Sequence, residues 1–225
     1  MTRPIHERGK NLAMRTLTSA RTRRIVLLTA AIAATMAWRA AAAPVPATPP
    51  RAAPIPLHGF AIVPGESSVT FAVPDNRGGF SGHTARVSGR VEVEPADGDA
   101  YAARISAVVD ARSLTTGIGM RDRAMHATFL QTGTYPTITF TGTAAARPGL
   151  AVEPFPAEVR GRLVIRDVAR ETAFTARVLA LAAEYAADAT ATVRMADYGI
   201  PYPRAFIFVA RDPVTVTLHI VARAP

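Results

Sequence analysis

From residue 57 onward, apolar and polar positions alternate with a period of two in run after run. That spacing builds strands with one buried and one wet face. In TARVSGRVEVE (84–94), Ala85, Val87, Gly89, Val91 and Val93 share one face, opposite Thr84, Arg86, Ser88, Arg90, Glu92 and Glu94. The same alternation turns Val69, Phe71 and Val73 inward in SSVTFAV, and Tyr101, Ala103, Ile105, Ala107 and Val109 inward in YAARISAVVD. It continues through Ile138 and Phe140, then Val159, Gly161, Leu163 and Ile165, then Thr172, Phe174, Ala176 and Val178. Ala189, Ala191, Val193 and Met195 follow, and Val214, Val216, Leu218 and Ile220 end the series. Eight strands joined by turns such as PDNRGG, PADGD and ARPG predict an antiparallel meander. Closure into a barrel removes the two edges an open sheet would expose, with a sandwich as the alternative.

One segment breaks the period. Between Arg121 and Leu130, Met125 and Phe129 stand four residues apart on one helical face, and TGTYP then ends the helix and starts a strand. The predicted fold is all-β, an eight-stranded antiparallel barrel with one short helical segment.

The first 56 residues follow different rules. RTRR precedes an apolar run from Ile25 to Trp38 and then small residues at 40–43, the layout of a secretory signal. The run is 14 residues long and Arg39 closes it, short of the ~20 that span a bilayer. TRRIVLL also resembles a twin-arginine export signal, so 1–43 is assigned as a leader of either general or twin-arginine type. PVPATPPRAAPIP (44–56) holds six prolines and is a stiff, extended linker. The folded domain is placed at 57–223.

This division changes the meaning of the charge. The leader's eight basic residues and Glu7 account for +7 of the formal +9 and leave the remainder at +2. A nearly neutral domain lacks the basic field of a nucleic-acid binder. With no cysteine, the chain has neither disulfides nor a site for a lipidated cysteine, so its core must supply its stability.

Few residues suggest chemistry. Asp122 is placed to cap a helix N-terminus, and Arg121 suits either an ion pair or an anionic headgroup. His83, in GGFSGH, falls in a glycine-rich rim, and His126 follows Met125; neither has a nucleophile or a metal partner at a working spacing. Tyr198, Tyr202 and Phe206 are expected near an opening of the barrel. Small inward residues (Ala85, Gly89, Ala103, Ala107, Gly161, Ala189, Ala191) leave room inside, and an eight-stranded barrel is wide enough to fill itself or to hold one small ligand.

Taken in order, SSVTFAV, GGFSGHTARVSGRVEVE, SLTTGIGMRDRAMHATFLQTGTYPTITF, VRGRLVIRDVARETAF and VRMADYGIP resemble the YceI-like proteins from about Phe60 to Val221. The resemblance implies a lipocalin-like barrel in the bacterial periplasm that binds, carries or sequesters polyisoprenoid or similar long-chain amphiphilic lipids, without catalysis. Where many members have a His-Leu pair after the Arg-Asp motif, this chain has Ala124 and Met125, with His126 one place later.

On this basis Phe71, Met125, Phe129, Phe140 and Phe174 are expected to line the tunnel, with Phe80, His83 and Arg121 nearer its mouth. No metal or cofactor is expected beyond a bound isoprenoid lipid or quinone. A homodimer and transient contact with a membrane surface stay compatible with the sequence. The rival reading is an enzyme acting on an apolar substrate through His83 or His126.

Overall fold

A computed structural model of the chain describes residues 58–149, 153–181, 183–202, 204–205 and 208–225; the leader and the Pro-rich linker lie outside them. Its strands are β1 (His58–Ile62), β2 (Ser68–Val73), β3 (Phe80–Thr84), β4 (Val87–Pro95), β5 (Tyr101–Asp110) and β6 (Thr137–Ala146). They continue as β7 (Phe155–Ile165), β8 (Val168–Leu181), β9 (Glu184–Val193), β10 (Arg204–Ala205), β11 (Phe208–Val209) and β12 (Val214–Arg223). Strands β1, β4, β5, β6, β7, β8, β9 and β12 follow one another around an antiparallel barrel, and β12 closes it by pairing back onto β1.

The first two staves of the barrel are each built from two strands. Ile62 faces Ala222, and after an outward loop at 63–67, Ser68 faces His219, so β2 continues β1 along β12. The loop is stitched to the wall by buried Ser67, whose hydroxyl donates to Val221 O at 3.2 Å and accepts from Val221 N at 3.0 Å. Strand β3 pairs with β2, as β4 pairs with β1. The β2–β3 turn is fixed by Asp75, whose carboxylate accepts from Arg77 N at 2.6 Å and Gly79 N at 2.8 Å.

Inward and outward positions follow the sequence alternation in nearly every strand. Thr84 and Ala85 are the exceptions. Thr84, expected on the wet face, is buried, and Ala85, expected inward, is exposed, because Ala85 and Arg86 lie outside the strands and shift the phase ahead of buried Val87. Arg86 N donates to Thr84 Oγ1 at 2.9 Å, which turns the chain at that point.

Buried side chains gather in two clusters along the wall. Phe60, Ile62, Val87, Val93, Tyr185 and Ala222 form one, with the Phe60 and Tyr185 rings edge to face at 4.8 Å. Val73, Ile165, Met195, Tyr198, Ile200, Ala210 and Val214 form the other. Tyr198 therefore belongs to the core, while Tyr202 is exposed and donates to Asp212 at 3.0 Å; the placement of the Phe206 side chain lies outside the description.

Between β5 and β6 the chain makes a 3-10 turn (Ala111–Ser113), a short helix α1 (Gly119–Ala124) and one π turn (Met125–Phe129). The single helix expected from Arg121 to Leu130 thus starts two residues earlier and widens partway. Leu130 N bonds Met125 O at 2.8 Å, five residues back, which marks the wider turn.

Candidate ligand-binding site

Alternating strands line the barrel with one face only, and here that face is apolar from end to end. It encloses a cavity of about 800 Å³ that extends from Tyr101, Pro148 and Phe155 at one end to Leu114, Met120 and Phe129 at the other. Among the described residues, the only charged side chains on its lining are Asp75 and Arg121. Ala157, Ala176 and Ala189 lie side by side on β7, β8 and β9, so one wall is a stripe of small residues.

Glycines keep the large rings out of the way. Gly142 and Gly161 face each other on β6 and β7, and a methyl group on either would stand 2.8 or 2.7 Å from the tip of the Phe140 ring. The ring therefore lies over bare backbone, close to Phe174 at 6.1 Å between centroids, instead of crossing the lumen. Gly82 does the same for Phe71, whose ring atoms would come within 2.3 Å of a Cβ there.

The segment 111–136 forms a wall at one mouth. Met125 and Phe129 of the π turn line the cavity there, and Phe80 supports the Arg121 guanidinium at 4.3 Å from its ring centroid. Asp75 lies close enough for the charges of Arg121 and Arg211 to act on it. Its carboxyl is held below the usual range mainly by the Gly79 and Arg77 amides and then by those two arginines.

Asp122 does not cap the helix N-terminus as expected. It sits one turn into α1 and pulls the preceding loop onto the helix: Thr115 and Thr116 hydroxyls donate to it at 2.7 and 2.6 Å, and Thr116 N at 2.8 Å. Burial raises its pKa, but these hydrogen bonds and the nearby His126 outweigh that and leave it below the ordinary aspartate range. The loop is also paired with β3 through His83 N to Thr115 O at 2.8 Å and Thr115 N to His83 O at 3.0 Å.

Seven of the eight residues expected at the ligand site line this one cavity: Phe71, Phe80, Arg121, Met125, Phe129, Phe140 and Phe174. His83 does not. On β3, Phe80 and Gly82 take the inward positions, so the His83 side chain is exposed on the outer surface and serves the site only through its backbone. His126 is half-buried with its Nδ1 unpartnered, and the Asp122 oxygens nearby are occupied by threonines, so the pair forms no hydrogen-bonded acid–base dyad. Among the described residues no group of three or more His, Asp or Glu side chains is placed to hold a metal ion.

The alternation also reaches residues that were not singled out. Tyr185 and Ala187 share the parity of Ala189, and burial raises the Tyr185 hydroxyl well above the ordinary tyrosine range, with Tyr101 close by. Ile118, Met120 and Leu130 escaped because a loop and a one-turn helix have no period long enough to show a face.

Two solved structures share the architecture. BcnA of Burkholderia cenocepacia superposes with a TM-score of 0.59 at 19% identity, covering 71% of this chain and 98% of that one. A polyisoprenoid binding domain from Saccharophagus degradans, described as implicated in plant cell wall breakdown, gives 0.59 at 19% identity over 76% of this chain and 100% of its own. No curated protein matches the chain by sequence. The family model of the YceI-like domain matches residues 60–222, which runs from buried Phe60 on β1 to Ala222 on β12 and so spans the whole closed barrel with its helical wall; the chain belongs to the YceI-like family.

Proposed function

We propose that this chain is an exported, non-catalytic carrier that holds a polyisoprenoid or similar long-chain amphiphile, such as an isoprenoid quinone, inside the barrel. The observation that carries this reading is the apolar lumen of about 800 Å³ with charge only at one mouth. A chain-shaped apolar ligand fills such a space while its polar end meets Arg121 and Asp75. The Saccharophagus degradans structure, described as a polyisoprenoid binding domain, supports the same class of ligand.

Energetics favour a long chain over a short one. Five buried carbons contribute ~4 kcal/mol at about 0.8 per carbon, against ~4–15 kcal/mol lost on association. One prenyl unit matches only the low end of that loss, whereas four, at ~16 kcal/mol, exceed its upper end. The leader and linker support passage to the periplasm, where a carrier of this kind meets membranes only transiently.

The test is to express the full-length chain with its own leader and record its native mass, followed by extraction and identification of any bound lipid. The expected result is a stoichiometric long-chain adduct, and Phe129→Ala with Phe140→Ala should lower its occupancy. A bare mass after incubation with a polyprenol and an isoprenoid quinone overturns the reading, and the same spectrum reports whether copies pair.

A further inference from the structure

The two ends of the barrel differ in apolarity and in charge. Ile118 and Met120, where the chain enters α1, are 50% and 75% exposed, among the few large apolar side chains so exposed in the described residues. Both also line the mouth of the lumen, so this exposed apolar surface is continuous with the cavity wall.

Arginines surround it. Arg121 lies in α1 over Phe80, and the Arg123 guanidinium folds back to within 3.6 Å of the position a Cβ would take on Gly119. Arg211 lies in an adjoining loop, anchored by its amide to Pro74 O at 2.8 Å, and its charge, like that of Arg121, reaches Asp75. The nearby carboxylates are engaged: Asp75 accepts from backbone amides, Asp122 from threonines, and Asp212, next to Arg211, from Met195 N and the Tyr202 hydroxyl. At the other end, the turn Ala96–Ala100 carries Asp97 and Asp99, and the β6–β7 connection adds Arg147 and Glu153, so acidic residues outnumber basic ones across these two connections.

An apolar tip among cations, on a barrel whose far end is acidic, complements a bilayer with anionic headgroups. Isoleucine and methionine enter the headgroup boundary, arginines meet phosphates, and the acidic end is repelled outward, which sets the mouth on the membrane. We infer that the α1 end is a membrane-docking portal for anionic lipid surfaces, through which the lumen loads and unloads without its ligand crossing water. This rests on the reading that the lumen holds a lipid.

The test is vesicle flotation, using protein purified from cells that express the full-length chain with its leader. Vesicles of phosphatidylcholine alone are compared with vesicles of phosphatidylcholine and phosphatidylglycerol, and native mass spectrometry of each sample reads the lipid retained. Wild type should float with the anionic vesicles and far less with the neutral ones. Arg123→Glu should weaken partitioning about fivefold or more, since one arginine near an anionic surface contributes ~1 kcal/mol. Ile118→Asp with Met120→Asp should weaken it about tenfold or more, whereas Leu181→Asp, an equally apolar exposed position that does not line the lumen, should leave it unchanged.

Equal partitioning of wild type and tip variants overturns the inference, as does an equal loss at Leu181. A wild-type dimer that ignores vesicles and separates on Met120→Asp also overturns it, because a second copy then covers the tip. Lipid retained without flotation sinks the docking surface alone; flotation without retained lipid sinks the carrier reading alone.

Discussion

Enlarging an inward alanine separates an open lumen from a packed interior, because the two predict opposite signs. Ala189 on β9 lies between Ala176 of β8 and Leu218 of β12 and faces the cavity. Ala189→Phe adds about six carbons to that space. In a packed core such overfilling costs ~1–3 kcal/mol. A cavity of about 800 Å³ takes the ring without strain, and the apolar surface it covers contributes up to ~1–2 kcal/mol of stability. At roughly 2–4 °C per kcal/mol for a domain of this size, Tm should hold steady or rise by a few degrees.

The ligand loses the space that the ring takes. Six displaced chain carbons at about 0.8 kcal/mol each come to ~5 kcal/mol, an upper limit because a flexible chain can slide along the tunnel. Affinity for a twenty-carbon prenyl alcohol should fall by at least ~100-fold, which corresponds to about 2.7 kcal/mol. Delipidated wild type and variant would be compared by scanning calorimetry and by displacement of a polarity-sensitive apolar dye. A drop in Tm with unaltered affinity would refute the reasoning, since it would mean a filled barrel with its ligand elsewhere.

Other consequences follow from the helical wall. Asp122→Asn should cost ~1–3 kcal/mol near neutral pH by weakening the threonine contacts that hold the loop to α1. The folded pKa of Asp122 is lowered, so its contribution is present above the ordinary aspartate value of ~3.9 and lost as pH falls through the folded value; melting curves of variant and wild type should converge in acid. His83→Ala should leave lipid occupancy by native mass unchanged, because only the His83 backbone supports the site; lost occupancy would return its side chain to the ligand.

The local period determines which face of a strand is buried, and that much is legible from the order of apolar and polar residues: from Tyr101 to Ile220 the inward positions named by alternation, Gly161 apart, line one cavity. What the period cannot carry is a change of phase or a distant pairing. Strand β3 reads as a flexible rim because Gly78 and Gly79 precede it and Gly82 lies within it, yet Gly82 lets the Phe71 ring lie against backbone. Strand β1 is only five residues long, and its pairing with β12 joins Ile62 to Ala222 across almost the whole domain, a contact no local pattern encodes.

Two other glycines, Gly142 and Gly161, explain why the cavity itself is only half legible. Inward alanines suggest space, but whether an eight-stranded barrel stays open depends on where its aromatic rings lie, and that is decided in three dimensions. Phe140 could cross the lumen and fill it; the facing pair Gly142 and Gly161 gives its ring a place against the wall instead. A side chain at either glycine would strike both the ring and the neighbouring backbone, with Thr141 O only 2.5 Å from a Cβ on Gly161. Binding capacity and strand packing thus depend on the same two residues: what holds the tunnel open also holds β6 against β7.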